Sequence, residues 1–160
     1  MTTMTAGPAT GTLPTTPEHA AALPTRWFAP ADYLTRDELT SPEAAAAVLM
    51  PHLAGLDREA CVAAYLDTKH RLLTVELVSL GSIDHTFMSP RDVYRGALLA
   101  NAAALVLAHN HPSGDPEPSR DDQLLTRRLT RAGELIGIDL LDHLVVAGDQ
   151  WISLARRGHL

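Results

Sequence analysis

Apolar and polar positions along this chain change period from one stretch to the next. Ser41 reads as a helix N-cap, with Pro42 at the first helical position, Glu43 in the first turn, and Ala44 to Met50 continuing the helix. Pro51 perturbs that helix and Gly55 closes the region. The mostly apolar run Glu59 to Leu66 predicts a strand, Asp67-Thr68-Lys69-His70 a turn, and Arg71 to Leu80 a second strand, so the two form a hairpin. Gly81-Ser82 breaks it. Ser89-Pro90 repeats the cap signal and starts a helix reaching about Asn101. Ala103 to Ala108 is a short apolar run, read as a buried strand. A loop dense in Pro and Gly follows, from His109 to Pro118. Ser119 caps a helix to about Leu135, with Leu125, Leu129, Ala132 and Ile136 on one face. Ile138 to Val146 is another strand, Gly148-Asp149 a turn, and Gln150 to Ser153 the last strand. Helices and strands alternate, so the class is α/β or α+β with a mixed sheet. No internal repeat is visible.

Composition narrows the picture. At 160 residues and 46% hydrophobic, the chain fits one compact domain, read as 25–160, behind a tail, 1–24, rich in Thr, Ala, Pro and Gly. Trp27, Phe28 and Tyr33 cluster just after the tail and are read as pinning that segment to the domain. No apolar run is long enough to cross a bilayer, and no secretion signal is visible, so the expectation is a cytoplasmic protein without a membrane partner. The lone Cys61 can form no internal disulfide and reads as a small core residue. The net charge of -6 counts against broad nucleic-acid binding. Arg120, Arg127, Arg128 and Arg131 share one helix and read as a solvated face, with a phosphate or DNA contact as the alternative.

Chemistry enters with two of the 8 histidines. His109 and His111 leave the end of the predicted strand, where residues two apart point the same way. Pro112 and the loop turn the chain away, and Asp122 falls in the first turn of the next helix, where its carboxylate can fold back. Two imidazoles and one carboxylate plus a water make the pattern of a catalytic zinc, whereas structural zinc is usually closed by four ligands. Ser119, three residues before Asp122, supports two readings. It is a helix cap, or its hydroxyl faces the pocket and donates to a developing oxyanion.

His-x-His-Pro, then Ser, two residues and Asp, resembles the JAMM motif of the JAB/MPN metalloprotease family. Ala108-His109-Asn110-His111-Pro112-Ser113-Gly114-Asp115, Glu117-Pro118-Ser119, Pro90-Arg91, the Asn101-to-Leu107 approach and Leu141-Asp142-His143 narrow the resemblance to its bacterial RadC branch. It covers Leu56 to the C-terminus. It implies a mixed sheet flanked by helices with cytidine-deaminase-like layering, and a zinc hydrolase acting on a protein or peptide amide or isopeptide. It also implies an upstream glutamate as general acid/base. Glu59 is favoured and Glu76 is the alternative. On this reading zinc lowers the pKa of its water and Glu59 takes the proton as hydroxide attacks the carbonyl carbon. Zinc and Ser119 stabilise the oxyanion, and Glu59 returns the proton to the leaving amine.

Beyond these residues, Asp142 or a backbone carbonyl is expected to receive the second N–H of a ligating histidine, with a purely structural role for Asp142-His143 as the other reading. Asp121 and His85 read as surface groups. Two other functions stay in view: a metal-dependent nuclease associated with DNA repair, and a catalytically silent MPN interaction module. A zinc nucleobase deaminase is set aside because His-x-Glu and Pro-Cys-x-x-Cys are absent. Nothing before Ser41 resembles the helix-hairpin-helix region of RadC-type proteins, so the resemblance is to the catalytic domain alone.

Overall fold

The computed structural model describes residues 38–81 and 88–160. The expectations for the tail 1–24, for Trp27, Phe28 and Tyr33, and for His85 fall outside the described residues.

Helix α1 spans Pro42–Leu49, and the Ser41 side chain caps it by accepting from the Ala44 amide at 3.2 Å. Pro51 has no amide hydrogen to continue the ladder, so the helix tightens into a 3₁₀ turn over Met50–His52. Strand β1, Ala60–Leu66, and strand β2, Leu72–Leu80, form the expected hairpin. Its turn is fixed by the Asp67 carboxylate, which accepts from the Lys69 amide at 2.8 Å and the Arg71 amide at 3.0 Å. Helix α2 covers Pro90–Leu99. At its start the Ser89 hydroxyl donates to the Asp92 carboxylate at 2.7 Å rather than accepting from a helical amide.

Strand β3 runs Ala104–Asn110, two residues further than the apolar run suggested. Helix α3 is Arg120–Ile136, strand β4 Asp139–Ala147 and strand β5 Gln150–Ser153. The sheet order is β2-β1-β3-β4-β5. Only β3 and β4 are parallel, and the segment between them carries α3 as the crossover that parallel neighbours need.

Strand alternation sorts the core into two layers. Ala60, Val62, Ala64 and Leu66 of β1, with Ala104, Val106 and Ala108 of β3, face α1 through Ala45, Ala46 and Leu49. Cys61, Ala63 and Tyr65, with Leu105 and Leu107, face α2 and α3 through Val93, Ala97 and Leu129. This is the mixed α/β sheet flanked by helices that the alternation predicted. The α3 face departs from the expected stripe: Thr126, Leu129 and Gly133 are buried, Leu125 and Ala132 are partly buried, and Ile136 is 44% exposed. Among the described residues, no helix is long and apolar enough to cross a membrane.

Candidate metal centre

The same alternation aims the histidines. Leu105 and Leu107 face α3, so His109, two further along, does too, and it is buried. His111 lies just past the strand, where its amide still donates to the Val146 carbonyl at 2.7 Å. Gly114, at φ +84, lets the following loop double back. The loop then places the Asp115 carbonyl 2.8 Å from His111 Nδ1.

Asp122 reaches the same point from the first turn of α3. A capping box holds it there. Ser119 Oγ accepts from the Asp122 amide at 3.1 Å, and the Ser119 amide donates to Asp122 Oδ2 at 2.8 Å. The Ser119 hydroxyl also donates to Oδ2 at 2.6 Å. Capping and contact with the pocket therefore belong to one residue.

The three side chains converge. His109 Nε2 lies 3.0 Å from His111 Nε2 and 3.2 Å from Asp122 Oδ1, and His111 Nε2 lies 3.5 Å from Oδ2. One donor atom from each of these residues falls within 4.8 Å of the others. Donors bound tetrahedrally to zinc at roughly 2.0–2.1 Å stand about 3.3 Å apart, so this spacing fits such an ion. The chemistry fits as well. Carbonyl oxygens only accept, so the contact with Asp115 makes His111 Nδ1 the donor and leaves its Nε2 lone pair facing inward.

The charges agree. Burial alone would raise the Asp122 carboxyl, but its close contacts with the His109 and His111 rings overcome it and hold the group far below the usual carboxylate range. The contact with the Asp122 carboxylate raises the His111 pKa against the effect of burial, with smaller help from the Asp115 carbonyl and the charges of Asp122 and Glu59.

Glu59 is half-buried where the chain enters β1. Cys61 pairs with His109 in the antiparallel register, so stepping back two residues brings Glu59 to the level of His111. Asn110 brackets it. The Asn110 side chain accepts from the Ala60 amide at 2.7 Å and donates to the Arg58 carbonyl at 3.0 Å. Glu76, by contrast, is fully buried on β2 and accepts from the Tyr65 hydroxyl at 2.7 Å. Cys61 is wholly buried; burial, and then the Asp122 charge, pushes its thiol well above the usual range, which makes it a core residue.

Asp142 does not reach the histidines. It accepts from the Ser153 hydroxyl at 2.6 Å, the His143 amide at 2.7 Å and the Ala155 amide at 3.0 Å, a structural role at the β4–β5 end. The group behind His109 is His143, whose Nε2 lies 2.9 Å from His109 Nδ1. Arg120, Arg127, Arg128 and Arg131 are exposed on α3, and so is Asp121.

The fold and site define a class: an α/β domain that presents two histidines and one carboxylate, spaced for a metal ion, at the end of an inner strand. The RadC-like JAB domain model matches residues 39–159, and the chain belongs to that family. A UPF0758 protein of Desulforamulus reducens is 43% identical over 124 residues, covering 78% of this chain and 55% of that protein. One from Methanosarcina acetivorans is 40% identical over 121 residues, 76% of this chain and 53% of the relative. One from Desulforudis audaxviator is 45% identical over 118 residues, 74% and 51% respectively. The chain thus spans about half the length of the curated relatives it matches.

Proposed function

We propose that this domain is a zinc-dependent hydrolase that cleaves an amide or isopeptide bond in a protein or peptide in the cytoplasm. The convergence of His109 Nε2, His111 Nε2 and an Asp122 oxygen at zinc-donor spacing carries the reading. When bound, the ion supplies a Lewis acid that polarises a carbonyl and lowers the pKa of a coordinated water toward neutrality. Three protein donors leave a coordination position for substrate or water.

The chain's own residues supply the rest. Glu59, held by the Asn110 bracket, accepts the proton from the attacking water and returns it to the leaving nitrogen. The Ser119 hydroxyl, which donates to Asp122 Oδ2 in this structure, turns its proton to the oxyanion as charge develops there. The positive end of α3 adds a favourable field.

The test is hydrolysis of peptide, isopeptide-linked and DNA substrates before and after chelation. Amide cleavage is expected, lost on metal removal and restored by zinc. Cleavage of DNA alone would replace the peptidase reading with the nuclease one. A zinc-loaded protein that cleaves none of them would favour the silent interaction module.

A further inference from the structure

His143 is fully buried on β4, and the proposed chemistry does not use it. Its Nε2 lies 2.9 Å from His109 Nδ1, and its Nδ1 lies 2.7 Å from Thr126 Oγ1. Thr126, also fully buried, donates its hydroxyl to the Asp122 backbone carbonyl at 2.7 Å. These contacts close a circuit from one ligand residue, His109, to another, Asp122, through β4 and the second turn of α3.

The Thr126 contact with the Asp122 carbonyl selects one assignment of protons. The Asp122 carbonyl can only accept, and the Thr126 hydroxyl donates to it. Thr126 Oγ1 can then only accept from the ring, which puts the His143 proton on Nδ1. A neutral imidazole protonated on Nδ1 has a bare Nε2. Complete burial disfavours a charged ring, so His143 is neutral. That bare Nε2 accepts from His109 Nδ1–H, and His109 Nε2 is left with its lone pair aimed at His111 and Asp122.

We infer that His143 and Thr126 are positioning residues that lock His109 into its metal-binding tautomer before any ion arrives. The lock uses a neutral histidine as acceptor where a carboxylate or carbonyl is the usual partner. It also ties the ligand on β3 to the ligand on α3, so a shift of either helix or strand breaks the same circuit. This inference rests on the metal reading of His109, His111 and Asp122.

Zinc affinity by chelator competition on the full chain tests it, together with the His109 tautomer read by ¹⁵N NMR on metal-free protein. His143→Leu keeps bulk but removes the acceptor, and zinc binding is expected to weaken by about 10–100-fold. His143→Gln offers an amide oxygen to His109 and an amide N–H to Thr126. It is expected to stay within about threefold of wild type, a rescue that a packing role would not produce. Thr126→Val, nearly isosteric, is expected to weaken zinc less than His143→Leu does and to shift His109 away from the Nδ1–H form. That variant carries the test if His143→Leu fails to fold.

Wild-type affinity in His143→Leu, or equal losses in the Leu and Gln variants, would overturn the lock. So would a wild-type His109 protonated on Nε2. Failure of the wild type to bind zinc while His109 still shows the Nδ1–H tautomer would overturn the metal reading and leave the lock standing.

Discussion

Glu59→Gln is expected to lower amide turnover by about 10²–10⁴-fold while the protein keeps its metal. The substitution preserves size and hydrogen-bonding reach but removes the ability to take and return a proton. Glu59 is not among the three converging donors, so ion content should hold. Its place is set from both sides, because Asn110 bonds the backbone before and after it. Turnover and zinc stoichiometry measured on the same preparation check this. Glu76→Gln is the informative counterpart. Glu76 lies beneath α2 and is engaged by Tyr65, so its loss should appear in stability rather than in turnover at saturating zinc. Lost turnover in Glu76→Gln with turnover retained in Glu59→Gln would reverse the assignment.

Gly96→Ala should destabilise the fold by about 3 kcal/mol, the upper end of ordinary overpacking. A methyl group on Gly96 would overlap the Glu76 carboxylate and the Tyr65 hydroxyl. Neither atom is the free end of a surface chain. Tyr65 is fully buried and its hydroxyl is also 3.0 Å from the Val93 carbonyl. Either α2 lifts off the sheet, which uncovers Val93 and Ala97, or a buried hydrogen bond breaks. Both routes cost stability without touching the metal ligands. Urea unfolding is the check, with a lower midpoint and an unchanged slope expected. An unchanged midpoint would mean that α2 does not sit over Tyr65 and Glu76 as described.

Most of this was legible in the sequence because the signals were local. Caps at Ser41 and Ser119 fixed two helix starts, and β3 was readable from its apolar run. From there, spacing of two aimed His109 and His111 at the same side as Asp122. What the sequence concealed is a matter of parity. Continuing strict alternation from Leu140, which faces α3, would put Asp142 on that face and His143 on the other. The β3–β4 register instead slips between Leu105 and Val106, so that Val106 pairs with Asp142 and Leu107 with His143. One extra residue at Leu141 flips every later side chain of β4. Asp142 is thereby sent to Ser153, and His143 to His109. No residue type announces such a bulge, and an acidic side chain was the natural candidate for the partner of a ligating histidine.

Two other features escaped for similar reasons. Asn110 sits between the ligands as an unremarked spacer in the motif, yet its side chain bridges to a segment 50 residues away in the chain. That contact exists only because β1 and β3 are antiparallel neighbours. At the end of α3, helical spacing pointed Ile136 inward. The helix runs past the edge of the packed layer there, and Leu135 and Ile136 are both exposed. Periodicity reports which face a residue occupies, not whether another layer covers that face at its level.

The central claim is that His109, His111 and Asp122 grip one ion, and zinc titration of metal-stripped protein under chelator competition tests it most directly. One zinc per chain is expected for the wild type, with site occupancy lost in Asp122→Ala and the fold retained. A wild type that takes up no divalent ion, or an Asp122→Ala variant that binds as the wild type does, would contradict it.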